Sequence, residues 1–346
     1  MTFIINNIDS DDKDSIELWN KLVVKKSLPP QACYIWKKHL ENIFDLKTFS
    51  LLVIDEKGDA KGLCIVYFTE GDEILYSCRY GFYAESEDVV LALQNEIINI
   101  CRCNNLRKTH ITSGSLDVVL NGKKETKDSL YLPLEYLNKD DLWLSVPKKT
   151  KNMIRKAEKS GFTISYDWAH LERFYEIYTG RFLEKSLSLK PFSHFLSIKE
   201  SFGKDAILIS AFHEDKFIAG MIFISTGEIV SYAYNASIVN ALNNGINNLL
   251  MWEAMRIFHE SGAKYIDLSE SKPDSSVFKF KSRLSKDIEI KKIYYYDILC
   301  GVTGCINWKL FLRYKVYGIL HRAMPFMTRS MKKKYLGHIG KRGRVI

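Results

Sequence analysis

Nothing in this sequence approaches the uninterrupted run of about twenty apolar residues that a membrane-spanning helix requires. Its opening, MTFIINNIDSDDKDS, carries acids where an export signal would carry bases. The chain is therefore expected to be cytoplasmic and not integral to a membrane. It has no CxxC pair, no HxxxH or HExxH pattern and no Cys/His spacing typical of zinc, so no metal site is expected. Its seven cysteines, among them Cys101, Cys103, Cys300 and Cys305, are an odd number and read as reduced thiols. No Ser/His/Asp arrangement is legible, which disfavours covalent catalysis. Acid is missing from one end: Ile298 to Ile346 holds eleven Lys/Arg and no Asp or Glu, leaving 39 Lys/Arg against 41 acids elsewhere. The net charge of +9 thus sits wholly in the tail. That excludes a uniformly basic nucleic-acid-binding body and points to one local anionic partner.

What is present suits two globular domains. A chain of 346 residues is long for a single core, and a 46% hydrophobic share can fill two. The most informative stretch runs from Ile229 to Lys281. Ile229 to Ala236 has the β-branched and aromatic content of a strand, and Asn240, Asn243, Asn244 and Gly245 then favour a turn. A helix opens near Ile246, with Leu249, Leu250, Trp252, Met255 and Phe258 on one stripe. Gly262 suits its left-handed C-terminal position, and Tyr265 to Leu268 resumes as a strand. The start of such a helix leaves backbone N–H groups without intrahelical partners at the positive end of its dipole, a natural anion site. An ordinary helix entry with an asparagine cap suits the same residues.

The order of elements occurs twice. In the first half, Phe49 to Ile54, Lys61 to Phe68 and Ile74 to Tyr80 read as strands, then come a helix from about Ser86 to Arg102 and a strand from Thr109 to Thr112. In the second, Ala206 to Phe212 and Phe217 to Ser225 precede the stretch above. Two β-β-β-α-β units imply two copies of one α/β fold with mixed sheets. Between them lies WLSVPKKTKNMIRKAEKSGFTISY, a basic amphipathic helix with Lys148, Lys149, Lys151, Arg155, Lys156 and Lys159 against one acid, Glu158. It reads either as a solvated connector or as a face on which Lys148, Asn152 and Arg155, at helical spacing, offer donors to a phosphorylated substrate.

The segment WLSVPKKTKNMIRKAEKSGF resembles the signature of FemAB-like proteins, tandem GNAT-fold transferases. Pro191 and Phe192, Tyr234 to Ser237, Gly245 to Ala254, Gly262 to Leu268 and Phe280-Lys281-Ser282-Arg283 resemble that family's later motifs in order. Ser285 departs from it, standing where the family usually has Gly. The resemblance implies two tandem GNAT-like (acyl-CoA N-acyltransferase) domains: an N-terminal one over 1–144, the basic helix over 145–162, a C-terminal one with the donor site over 163–297, and a basic aromatic tail over 298–346. It also implies transfer of an acyl or aminoacyl group to an amine. The region from Phe174 to Phe202 has room for only one or two short helices, not a long helical hairpin of the kind some tRNA-dependent members carry. The expected donor is therefore acyl-CoA, acetyl-CoA foremost, and the expected acceptor an amino group of a nucleotide- or lipid-linked cell-envelope sugar precursor. An aminoacyl-tRNA-dependent peptidoglycan-bridge enzyme and a non-catalytic glycan-precursor-binding scaffold are the alternatives.

Acyl transfer needs a neutral amine, stabilisation of an oxyanion and orientation of both substrates. The resemblance assigns the electrostatic role to Lys281, with Lys279 its neighbour. Asp267 and Glu270 lie at and just beyond the end of a strand, where α/β sites gather, and Glu270 could accept the amine proton. Tyr234 could donate to the thioester or the departing thiolate, though a strand tyrosine also suits core packing. Asn243, Asn244, Gly245, Asn247 and Asn248 would bind the donor's phosphates. In the tail, Lys332-Lys333-Lys334 and Lys341-Arg342-Gly343-Arg344 fit anionic lipid headgroups on the inner face of the membrane, or RNA phosphates under the tRNA alternative.

Overall fold

The computed structural model describes residues 3–9, 11–114, 120–301, 327 and 329–341. Cys305, the segment from Ile306 to Met324, and Arg342 to Arg344 lie outside them. In chain order the elements are β1 (Ile4–Asn7), α1 (Lys13–Lys25), α2 (Tyr34–Phe44), β2 (Lys47–Ile54), β3 (Ala60–Phe68), β4 (Ile74–Ala84), α3 (Glu87–Cys103), β5 (Lys108–Ser113), β6 (Lys123–Pro133), α4 (Lys139–Ser145), α5 (Lys148–Lys159), β7 (Thr163–Ser165), α6 (Leu171–Glu184) and α7 (Phe192–Phe202). They continue with β8 (Ala206–His213), β9 (Lys216–Thr226), β10 (Ile229–Ser237), α8 (Ile246–Glu260), β11 (Tyr265–Glu270), α9 (Ser276–Lys281), β12 (Glu289–Leu299) and α10 (Arg329–Lys341). Two compact units result: one of Met1–Lys127, Lys185–His194 and the chain from Lys292 on, the other of Asp128–Glu184 and Phe195–Lys291.

In the first unit β1, β2, β3 and β4 pair antiparallel in sequence, and β5 joins β4 in parallel. β12 pairs antiparallel with β5 from Tyr294 opposite Ser113 to Leu299 opposite Lys108. The alternation of β3 sends Cys64, Val66 and Phe68 to one face, where they meet Val89, Leu93, Ile97 and Ile100 of α3. That helix is capped by the Ser86 hydroxyl, which accepts the Val89 amide at 3.4 Å, and Glu87 and Asp88 fill its first turn. A second buried group is polar: His39 Nε2 and His194 Nδ1 stand 2.8 Å apart, and Lys190 Nζ lies 5.1 Å from the Phe44 ring centre. All three basic side chains are buried.

The second unit repeats the order. β8, β9 and β10 pair antiparallel, β11 joins β10 in parallel, and β6 and β7 pair with β11 and β8. The expected β-β-β-α-β order is thus present in both units. Its core takes Leu249, Leu250, Met255 and Phe258 from α8, Ile266 and Leu268 from β11, and Ile154 and Ala157 from the apolar stripe of α5. The strand Lys123–Pro133 was not foreseen, because KKETK at its start has the composition of a loop. The region from Phe174 to Phe202 holds the greater part of α6 and all of α7, two short helices, as expected. Ser285 is not among the residues with positive φ, so a serine where the resemblance expects glycine brings no backbone strain. Among the described residues no helix is long and apolar enough to cross a membrane, and no group of three His, Cys, Asp or Glu could hold a metal ion.

Candidate functional site

The site follows from how β10 and β11 part. Their parallel ladder runs through Ile229–Tyr265, Val230–Ile266 and Ser231–Asp267 and ends there. Beyond it β10 is bulged between Tyr232 and Tyr234 and stays with β9, while β11 shifts register between Asp267 and Glu270 and stays with β6. Two parallel strands that diverge at their carboxyl ends open a cleft between them, the place where ligands enter α/β folds.

The helix that follows β10 begins at this end. Gly245 sits at its N-cap with φ +79, and no side chain caps it. A Cβ at Gly245 would lie 2.3 Å from the Met153 carbonyl oxygen of α5, so glycine is demanded both by conformation and by the close approach of backbone. α5 is held there by Lys156 Nζ, which donates to the Asn243 carbonyl at 2.9 Å. No acid occupies the first turn of α8. Its counterpart α3, capped by its own serine and carrying two acids, is closed to anions. The asparagines divide in role. Asn247 Oδ1 accepts from the Ser237 hydroxyl at 2.7 Å and from Asn235 Nδ2 at 3.4 Å, so this side chain braces the helix to β10. Asn243 is exposed, and Asn244 and Asn248 are half-buried.

At the end of β11 the polypeptide turns sharply. Ser269 has φ +64, and its amide donates to Asp267 Oδ1 at 2.8 Å, which also accepts the Ser129 hydroxyl at 3.1 Å. α9, capped by Ser275, brings Lys281 back to this turn. Lys281 is buried, whereas Lys279 is exposed. The Lys281 ammonium donates to Ser271 Oγ at 2.8 Å, to the Ser269 carbonyl at 3.3 Å and to the Glu270 carbonyl at 3.5 Å. A buried ammonium thus stands against the turn that ends β11, 3.5 Å from the Glu270 carbonyl. Ser271, which accepts from Lys281 at 2.8 Å, was missed from the sequence. Its only signal there was a place in the polar run Ser269-Glu270-Ser271-Lys272 after the strand.

Tyr234 belongs to an aromatic group: its ring centre is 5.0 Å from that of Phe195 and 6.4 Å from that of Tyr178. Burial pushes its phenol well above the usual tyrosine range, so the group stays neutral, keeps its proton and can act only as a hydrogen-bond donor or acceptor. Lys148, Asn152 and Arg155 are exposed on α5. Arg155 and Lys151 face the Trp143 ring at 5.7 and 5.3 Å, and burial, then the charges of Lys286 and Arg155, lowers the Lys151 amine below the usual range.

No family model matches the chain, and no curated protein matches its sequence significantly. Solved structures match in fold. FemX superposes with a TM-score of 0.66 at 14% identity, over 87% of this chain and 98% of its own. A tandem GNAT protein from the clavulanic acid biosynthesis pathway gives 0.57 at 11%, over 88% and 100%. The C-terminal domain of a putative lysylphosphatidylglycerol synthetase from Agrobacterium fabrum gives 0.54 at 11%, over 82% and 91%. At these identities the likeness is one of fold, and the fold is the tandem GNAT fold.

Proposed function

We propose that the chain is an acyltransferase that moves an acyl group from acyl-CoA to an amino group of a nucleotide- or lipid-linked cell-envelope sugar precursor. The observation that carries this reading is the pairing of a diverging parallel ladder at Ser231–Asp267 with an uncapped, acid-free helix entry at Gly245. Those features fit the donor: a cleft for its arm, and backbone amides with the basic helix α5 for its phosphates. The donor supplies a thioester carbonyl carbon open to direct attack by the amine. Glu270 takes the amine proton as the C–N bond forms. Lys281 places positive charge beside the carbonyl oxygen as electron density moves onto it, and the sulfur departs as a thiolate that accepts a hydrogen bond from the Tyr234 hydroxyl. Lys148, Asn152 and Arg155 hold a phosphate of the acceptor.

Asn248→Asp tests the donor site without disturbing the crowded Gly245. A carboxylate in the first turn favours the helix by about 0.5 kcal/mol and opposes a phosphate there. Calorimetric titration is expected to give acetyl-CoA affinity roughly tenfold lower, with an unchanged or higher melting temperature. No binding of acetyl-CoA or CoA to the folded wild-type chain would sink the acyl-CoA reading. The exposed bases of α5 favour charged tRNA as the next donor to test, and a chain binding neither donor would be a scaffold.

The tail has its own partner in this reading. Tyr335 and Leu336 of α10 are buried, and the Leu336 carbonyl accepts the Leu189 amide at 3.2 Å, while Met331, Lys333 and Lys334 are exposed. With no acid from Ile298 onward, this face suits an anionic lipid surface. Sedimentation with phosphatidylglycerol vesicles is expected to capture the wild type and to lose at least tenfold in affinity when Lys332, Lys333 and Lys334 become glutamate, at about 1 kcal/mol per base. Equal capture by phosphatidylcholine vesicles would contradict it.

A further inference from the structure

Alternation along the strands of the first unit leaves a second row of side chains on the sheet face turned away from α3. Val66, Leu75, Ile111, Tyr294 and Tyr296 point into the α3 core, so their neighbours Tyr67, Tyr76, His110, Tyr295 and Asp297 point the other way. His110 and Asp297 are directly opposed in the β5–β12 ladder, and His110 Nδ1 lies 2.7 Å from Asp297 Oδ1. Burial pushes the Asp297 carboxyl up, but the hydrogen bond from His110 and the charges of Lys108, His110 and Lys123 outweigh it and hold the group below its usual range. An ionised carboxylate only accepts, so Nδ1 carries the hydrogen whether or not the ring is protonated, and the neutral form of the imidazole has its lone pair on Nε2. Nε2 makes no hydrogen bond among the described residues, and the two side chains are 34% and 41% exposed.

This imidazole has aromatic walls. The ring centres of Tyr76 and Tyr295 stand 6.1 and 5.8 Å from that of His110. Lys127 lies 4.1 Å over Tyr295, and Lys108 is 3.7 Å from Asp297. The position in the fold matters as well. Tyr76–His110 is the last pair of the β4–β5 parallel ladder, just as Ser231–Asp267 is the last of β10–β11. His110 therefore stands where the strands of the first unit part, the counterpart of the cleft in the second.

We propose that the first unit carries a saccharide site of its own, in which His110 Nε2 accepts a hydrogen bond from a sugar hydroxyl and the rings of Tyr76 and Tyr295 pack against the sugar ring. The chemistry selects this class. A simple anion would meet the Asp297 carboxylate at the centre, with Lys108 already turned to it. A purely apolar ligand would cover Nε2 and leave it without a donor. A polyhydroxylated ring offers C–H faces to tyrosine and hydroxyls that serve both a carboxylate and ammonium groups. The site stands whether or not the chain transfers acyl groups.

The test is a titration of the full chain with glucosamine and with N-acetylglucosamine, followed through the carbon–proton signals of the His110 ring, with His110→Gln to assign them and glycerol as a control. A saturable shift with either sugar, absent with glycerol and lost in Tyr295→Ala, is the expected result. Asp297→Asn is expected to weaken the sugar response severalfold by freeing the imidazole tautomer. No shift with either sugar, an equal shift with glycerol, or an undiminished shift in folded Tyr295→Ala would overturn the proposal. The wild-type titration decides the matter even where Tyr295→Ala does not fold, and its readout is untouched by any failure to bind CoA.

Discussion

Lys190→Met is expected to stabilise the chain on the order of 3 kcal/mol at pH 7 and to flatten its stability between pH 7 and pH 10. Burial lowers the Lys190 amine from 10.5 to about 7 in the fold. An unfolded chain would keep that proton up to about 10.5, so over this window the native state binds fewer protons than the unfolded one. Stability contributed by the neutral amine is therefore complete above about pH 10.5 and is lost as pH falls to about 7. Below that the group is charged in both states and adds no slope. His39, lowered to about 4 by burial and then by the charge of Lys190, adds a second loss from about pH 6.5 down to about 4. Methionine keeps the length of the lysine stem and removes its charge. Urea unfolding of both proteins from pH 6 to pH 10 should show two curves that converge as pH rises. A wild-type curve that is flat above pH 7 would mean that Lys190 holds its proton inside the fold.

Lys281→Met is expected to lower turnover by about 100- to 1,000-fold, the usual effect of removing one preorganised electrostatic group. The same change takes away the donor shared by Ser271 Oγ and the carbonyls of Ser269 and Glu270, and so costs about 1–3 kcal/mol of stability. The two effects separate in the kinetics. Loss of charge at the reacting carbonyl lowers kcat with little change in KM for the acyl donor, whereas a loosened turn at Ser269 raises KM as well. Lys281→Arg keeps the charge in a longer, planar group and should recover part of kcat. Full activity in Lys281→Met, in a protein shown to be folded, would remove this lysine from the chemistry.

Much of this fold could be read from local pattern. α8 and β11 were legible because a 3.6-residue stripe, a left-handed glycine at 262 and a β-branched run each speak within a few residues. β6 and β12 were not: the first begins as KKETK and is a strand there only through its pairing, and the second, though of strand composition, lies beyond the repeat. The site divides in the same way. Gly245 and the helix entry were legible, but Lys279 and Lys281 share one short helix, and only tertiary packing buries one and exposes the other. The bracing of Asn247 was hidden too, since the Ser237 hydroxyl that donates to its Oδ1 lies ten residues earlier on another element. The buried trio of His39, Lys190 and His194 left no trace, since its members are up to 155 residues apart.

The partnership of His110 with Asp297 spans 187 residues of chain. At a synthesis rate of about 5–20 residues per second, His110 and the free edge of β5 wait roughly 10–40 seconds on the ribosome before β12 exists to cover them. Through that interval the early strands expose unpaired backbone, a template for wrong pairing with other nascent chains. The order in which the chain is made therefore places an aggregation hazard before β12, and a stop codon ahead of Tyr294 would make that hazard permanent.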